Sequence, residues 1–427
     1  MGELTNNFGS QEWQGRFSEL YGRSEAVLQK QIERYRSILE TYTQLFESKH
    51  TVFFSAPGRT EIGGNHTDHN HGKVLAASIN LDAVAAVEKT SKNTVVLYSE
   101  GYPEAFVVDL SQLQPNPAET GTTTALIRGI AARFIEKGYH IGGFRAFVSS
   151  DVLQGSGLSS SAAIEVLIGT ILNKMYNQGK IPPEEIAAIG QFAENIFFGK
   201  PCGLMDQMAS AVGGVVGIDF RNPEQPEVTR VNFSLTAFGY SLLIVNTGGS
   251  HADLTADYAA IPTEMKAVAG FFGKSFLREV PEADIFSHAT TLRKQVGDRA
   301  FLRALHFFAE NDRVTQEIRA LKEKNFPKFL KLVTDSGNSS WKWLQNVYSS
   351  RNPDKQSVSL ALALSENFIQ EKGAGACRVH GGGFAGTIQV FLPRKWVSEY
   401  TSRMETVFGK GSVLELFIRP AGAIQLQ

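Results

Sequence analysis

Apolar positions recur at three- and four-residue steps through the first 50 residues: Phe17, Leu20, Tyr21, then Leu28, Ile32, Tyr35, Ile38, Leu39, Tyr42, Leu45 and Phe46. That spacing lines one face of a helix and predicts a helical segment over residues 1–50 that packs its stripe against the rest of the chain. From residue 52 the texture changes to short apolar runs. Residues 52–55 predict a strand stopped by Pro57-Gly58, and residues 74–77, 83–87, 94–97 and 105–110 predict four more. A helix is predicted over 125–137, a strand over 144–152 that feeds a glycine loop, and helices over 162–211. Strands at 215–220 and 239–246, a mainly helical stretch from 258 to 372, and strands at 387–391 and 413–418 complete the pattern. Strands and helices come in blocks rather than in regular β-α-β alternation, which predicts an α+β fold. The patch Arg221-Asn222-Pro223-Glu224-Gln225-Pro226 reads as a linker. Three segments follow: a helical extension (1–50), a first domain (51–230) and a second (231–427).

Charge narrows the function classes. With 42 basic and 43 acidic residues the net charge is -1, which lacks the basic excess of an electrostatic nucleic-acid binder. Two cysteines, Cys202 and Cys377, cannot make a disulfide framework and fit a reducing compartment. The N-terminus is polar and no run of 18 apolar residues exists, so neither a secretory signal nor a membrane span is expected. The expectation is a cytoplasmic enzyme acting on a small molecule.

Four constellations carry candidate chemistry. The first is Gln154-Gly155-Ser156-Gly157-Leu158-Ser159-Ser160-Ser161-Ala162-Ala163. Two glycines and three hydroxyls ahead of a helix-forming run expose backbone N–H groups at a positive helix end, which suits a phosphate. One serine could simply cap the helix, and no P-loop lysine is present. The second is Arg59 with the loop Asn65-His66-Thr67-Asp68-His69-Asn70-His71. Its donors and acceptors suit a polyol; His66, His69 and His71 beside Asp68 also permit a zinc reading, and a plain solvated loop is the third option. The third is Glu194 followed by Gly199-Lys200-Pro201-Cys202-Gly203-Leu204-Met205-Asp206-Gln207. Asp206 could be a paired or capping carboxylate, with Arg59 an available counter-charge, and Glu194 could hold Mg²⁺ through oxygen or lie on the surface. The fourth is Arg378-Val379-His380-Gly381-Gly382-Gly383, where the glycines demand close approach or positive φ, or simply a tight strand connection.

In order and spacing these segments resemble the GHMP kinase superfamily and, within it, the galactokinase family. That family's Gly-Arg-x-Asn-Leu-Ile-Gly-Glu-His-Thr-Asp-Tyr-Asn is similar to residues 58–70, its phosphate loop to 155–163, its Cys-Gly-x-Met-Asp-Gln to 202–207, and its glycine-rich third motif to 379–387. The resemblance runs from about residue 52 to 422 and implies a two-lobed α+β kinase with its active site between the lobes. It implies ATP-dependent phosphorylation of a sugar's anomeric hydroxyl. By that resemblance Asp206 and Arg59 are catalytic, and Gly155, Ser156, Gly157, Leu158, Ser159, Ser160 and Ser161 cradle ATP. Ser161 and Glu194 hold Mg²⁺; Asn65, His66, Asp68, Gly203 and Tyr258 contact sugar. Asp206, held by an arginine, is expected to orient the hydroxyl more than to strip its proton.

Three departures stand out. The family's sugar-loop Glu is Asn65 here, its Tyr is His69, and its basic pair after Tyr258 is replaced by Ala259-Ala260-Ile261-Pro262. A neutral Asn65 beside His66 and His69 would tolerate a carboxylate that a Glu would repel. The expected substrate is galactose or a close relative; galacturonate, or N-acetylgalactosamine or arabinose, is the alternative. A non-catalytic sugar sensor is the reading from another class; the intact serine loop and Asp206 argue against it.

Overall fold

The computed structural model describes residues 7–48, 50–152, 157–249 and 254–426. Thirteen α-helices are described: α1 (Gln11–Tyr21), α2 (Glu25–Phe46), α3 (Thr123–Glu136), α4 (Ser160–Tyr176), α5 (Pro183–Phe192), α6 (Met205–Val212), α7 (Thr255–Phe271), α8 (Glu282–Ser287), α9 (Ala289–Val296), α10 (Asp298–Lys322), α11 (Phe326–Ser339), α12 (Ser357–Lys372) and α13 (Val397–Phe408). The strands are β1 (Val52–Gly63), β2 (Lys73–Lys89), β3 (Thr94–Ser99), β4 (Phe106–Asp109), β5 (Phe144–Ser150), β6 (Val215–Asp219), β7 (Glu227–Val231), β8 (Tyr240–Asn246), β9 (Ala376–His380), β10 (Thr387–Pro393), β11 (Val413–Leu416) and β12 (Ile424–Leu426).

An eight-stranded sheet runs β12-β1-β2-β5-β3-β4, with β6 on β2 and β7 on β6; a four-stranded antiparallel sheet runs β11-β8-β10-β9. The long β2 bridges two neighbours: Lys73 to Ala77 pair with β6, and Ala83 to Lys89 pair with β5. The sheets change between Val231 and Tyr240, and β12 returns from the C-terminal segment to pair with β1.

Period-two alternation explains why the first sheet is apolar on both sides. Phe53, Ala86 and Phe147 lie in one row across β1, β2 and β5. With Val84 they face α1 and α2, meeting Trp13, Phe17, Tyr35 and Ile38. Their neighbours Phe54, Ala85, Val87 and Val148 face the opposite way, into the core shared with α3–α6. The helical extension thus covers the face formed by β1, β2, β5 and β12.

Local differences from the sequence pattern have simple causes. β1 does not stop at Pro57-Gly58: it continues to Gly63 through a register shift between Pro57 and Arg59, a bulge at which the missing proline N–H breaks no ladder bond. The runs at 74–77 and 83–87 are one strand, β2. The linker-like patch leads at once into β7, an edge strand held by β6.

Candidate active site

β1 carries Arg59 to the centre of the molecule, where its side chain is almost fully buried. Its Nε and Nη2 both lie 2.7 Å from Asp206 Oδ1, a two-point grip on one carboxylate oxygen. Its Nη1 donates to the carbonyl of Gly157 in the phosphate loop, and its backbone N–H donates to Leu158 O at 3.1 Å. Arg59 therefore fixes the catalytic candidate and the phosphate loop to each other.

The start of α4 is unusual. Ser159 is the N-cap, in the left-handed region at φ 61°, but its hydroxyl makes no capping bond; it donates to Asp206 Oδ2 instead. No side chain among the described residues caps the first N–H groups of α4. Ser160 and Ser161 open the helix behind it, while Gly155 and Ser156 lie outside the described residues.

α5 ends in a π-turn, Ala193–Phe198, which brings Glu194 against α4. Ser161 Oγ donates to Glu194 Oε1 at 3.1 Å, and Lys200 Nζ sits 3.0 Å from the same oxygen. Gln207 Nε2 bridges Glu194 Oε2 and Glu165 Oε2, both at 2.9 Å. Burial, reinforced by the charge of Glu194, holds Glu165 well above the usual carboxylate range. A hydroxyl and a carboxylate oxygen side by side form a hard-oxygen donor set, and the Lys200 ammonium shows that this oxygen already receives a cation. Lys200 lies inside the segment that the sequence singles out, though with no role of its own there; Glu165 carries no chemical signal in the sequence.

In the sugar loop the predicted residues divide. Asp68 faces Gly203 so closely that a Cβ at that position would overlap the Asp68 carboxylate and force it to move. His66 Nε2 donates to Gly382 O at 2.9 Å, and Tyr258 donates to Gly383 O at 2.8 Å, tying both to the glycine turn after β9. Asn65 is not brought to the cleft. It is fully buried; Nδ2 donates to Glu61 Oε1 (2.9 Å) and Gly381 O (2.7 Å), while Oδ1 accepts from Asn346 (2.8 Å) and Ser340 (3.3 Å). An amide has two donors and two acceptor sites, and all four are used. Asn65 organises the loop, which corrects its expected place against sugar. The family motif offers the missed signal. It carries Asn where this chain has Glu61 and Glu where this chain has Asn65, so the two residues have exchanged places and bond to each other. Glu61 in turn receives Arg378 Nη2 at 2.8 Å.

His66 and His69 lie with ring centroids 5.6 Å apart, but His71 does not join them. His69 Nδ1 accepts from Asn70, and His71 stacks on Phe276 with ring centroids 3.7 Å apart. Among the described residues no group of three or more His, Cys, Asp or Glu side chains is placed to hold a metal ion.

Burial first, and the nearby Asp206 charge second, push the Asp68 carboxyl up to about 6. If ionised Asp68 accepts a sugar hydroxyl, kcat/KM for sugar falls as pH drops below that value, because the acceptor is then protonated. In Asp68→Asn that acidic limb should disappear from the profile along with most of the activity; an unchanged limb would assign it to another group.

Residues 125–214 match the family model for the GHMP kinases N terminal domain, and residues 40–89 match the galactokinase galactose-binding signature. The fold is that of a GHMP-type kinase. The solved structure of Lactococcus lactis galactokinase complexed with galactose superposes with a TM-score of 0.77 at 24% identity, covering 92% of this chain and 100% of that one. Methanococcus jannaschii mevalonate kinase gives 0.61 at 15%, covering 86% and 98%. Galactokinase from Actinobacillus pleuropneumoniae serotype 3 is 33% identical over 355 residues, 82% of this chain and 86% of its own length. That from Streptomyces coelicolor is 30% identical over 375 residues, 86% and 92%. The chain belongs to the galactokinase family and is a sugar kinase, a membership that implies ATP as phosphoryl donor. No described helix is long and apolar enough to cross a membrane.

Proposed function

We propose that this protein transfers the γ-phosphoryl group of ATP to the anomeric hydroxyl of a galactose-configured sugar. The observation that carries this reading is the knot of Arg59, Asp206, Ser159 and Gly157 O, which joins a hydroxyl-orienting carboxylate to a phosphate-receiving helix start. The sugar would lie between Asp68, Gly203, His66 and Asp206. Its anomeric oxygen attacks the γ-phosphorus, the bond to the β-phosphate oxygen breaks, and the hydroxyl proton passes to Asp206. Backbone N–H groups at the start of α4, with the macrodipole behind them, hold the phosphates in line. Ser161 and Glu194 would hold Mg²⁺, which when bound neutralises charge on the transferring group. Phosphoryl transfer depends on positioning and charge compensation more than on covalent help, and the cleft offers both.

Galactose is favoured by the match of residues 40–89 to the galactose-binding signature. The galacturonate alternative loses Asn65 as its support, because that side chain is saturated inside the protein. ADP release measured with galactose, galacturonate, N-acetylgalactosamine and arabinose tests the reading. Highest kcat/KM with galactose is expected; a preference for galacturonate would reverse the substrate assignment, and ADP release with none of the four would remove it.

A further inference from the structure

Next to the glycine turn, with Phe384 in its wall and Asp206 not among its lining residues, a cavity of about 370 Å³ opens between α7, α10 and residues 341–350. Its size lies within the roughly 300–1,000 Å³ of small-molecule sites. Nothing in the phosphoryl-transfer reading uses it.

Its walls combine cations with aromatic faces. Arg299 and Arg303 project from α10 and share a single carboxylate, Glu264, with Arg299 Nε 3.0 Å from Oε1 and Arg303 Nη1 2.9 Å from Oε2. Arg303 is only 2% exposed; its Nε donates to Leu344 O at 3.1 Å, and its Nη2 makes no hydrogen bond among the described residues. The one acid in the wall, Asp257, is taken by Ser349 (2.9 Å) and Arg351 (2.5 Å). Lys342 makes no ion pair among the described residues. Two guanidiniums on one carboxylate, plus an ammonium, leave the cavity short of negative charge. Trp341, Tyr348 and Phe384 supply flat apolar surfaces of the kind on which a sugar ring packs.

The backbone around the cavity is held in uncommon conformations. Trp341 and Lys342 come from a π-turn, Ser340–Leu344, while Gln345 and Phe384 are non-glycine residues at φ 60°. Such features cluster at ligand sites because surrounding structure must hold them. The same segment is wired to the sugar loop. Phe384 N donates to Asn346 O at 2.5 Å; Asn346 Nδ2 reaches Asn65 Oδ1 (2.8 Å) and Gly382 O (3.1 Å). The Tyr258 ring meets Phe384 edge-on, with centroids 5.4 Å apart.

We propose that this cavity is a second ligand site, for an anionic sugar, and that its occupancy alters sugar affinity in the cleft through Asn346, Phe384 and Tyr258. The anion, a phosphate ester or a carboxylate, would sit on Arg303 and Lys342, and the ring on Trp341. The reading of the main cleft enters only in the choice of probes.

The test is calorimetric titration of the full chain, with Trp341 emission as a second readout. The probes are galactose 1-phosphate and galacturonate, with galactose and inorganic phosphate as controls. At least one acidic sugar should bind to wild type and to Asp206→Asn. Affinity should fall roughly tenfold or more in Lys342→Glu, which loses a charge-assisted contact, and in Trp341→Ala, which loses the surface under the ring. Basal kcat in those two variants should stay near wild type, while the sugar KM measured with probe present should shift in wild type alone. Binding of one acidic sugar and not the other identifies the anion. Binding at a single site per chain that survives both cavity variants, or that is displaced by galactose, would place the probe in the main cleft and overturn the proposal. Phosphate binding as tightly as either sugar would mean an adventitious ion only, and no binding at millimolar concentration would also reject the site. Binding is read without turnover, so loss of the kinase reading and loss of this one give different results.

Discussion

Asp206→Asn should lower kcat by about 10²–10⁴ with the fold intact. Two donors of Arg59 converge on Oδ1, so an asparagine would keep its carbonyl oxygen there and turn its NH₂ toward Ser159. The serine hydroxyl can rotate to accept, and the substitution leaves no buried donor facing another. What it removes is the acceptor for the sugar proton and a negative charge beside the reacting hydroxyl. Steady-state kinetics with an unchanged thermal midpoint check this. Retention of most of the wild-type kcat would exclude Asp206 both as the proton's destination and as the group that orients the hydroxyl. Ser159→Ala should cost far less, because Arg59 alone still holds the carboxylate.

The parts of this site that could be read from sequence are those built from one short segment. Residues 157–161 advertise themselves because hydroxyls crowd a helix start, and 202–207 because an acid follows a Pro-Gly turn. Hydrogen-bonding capacity is visible in a sequence; its use is not. Asn65 looked like a sugar contact since a neutral amide stood where a Glu was expected. Only the fold shows that Glu61, Gly381, Ser340 and Asn346 consume it, three of them more than 270 positions away. The same holds for His380, buried between Thr60 and Thr387 at 3.0 Å from each hydroxyl. Pro57-Gly58 reads as the end of a strand because proline and glycine end most strands; the bulge that accommodates them in β1 depends on β2 being opposite. The extension's apolar stripe was plain, yet the face it covers was hidden, because β1, β2 and β5 are buried on both sides and lose the alternation that marks a half-exposed strand.

That extension is also where the largest loss of stability is expected. Asp82, fully buried in β2, receives Arg34 from α2 at 2.7 Å, Arg419 from the C-terminal segment at 3.0 Å and the Tyr21 hydroxyl at 2.7 Å. Arg34 also donates to the carbonyls of Asp82 and Ser149, at 2.9 and 3.1 Å. Burial opposes the charge on Asp82, but Arg34 and Arg419 outweigh it and hold the carboxyl below its usual range. Asp82→Ala strands two buried guanidiniums and should destabilise the protein by about 3–5 kcal/mol, the cost of breaking a buried ion pair from one side. Because the folded carboxyl is depressed, its contribution is complete above the ordinary carboxylate range near about 4 and fades as pH falls through the lower folded value. Urea midpoints for wild type and variant should therefore lie far apart at pH 7 and draw together in acid. A gap that is small at pH 7, or that widens as pH falls, would show that Asp82 does not anchor the helical extension to the sheet.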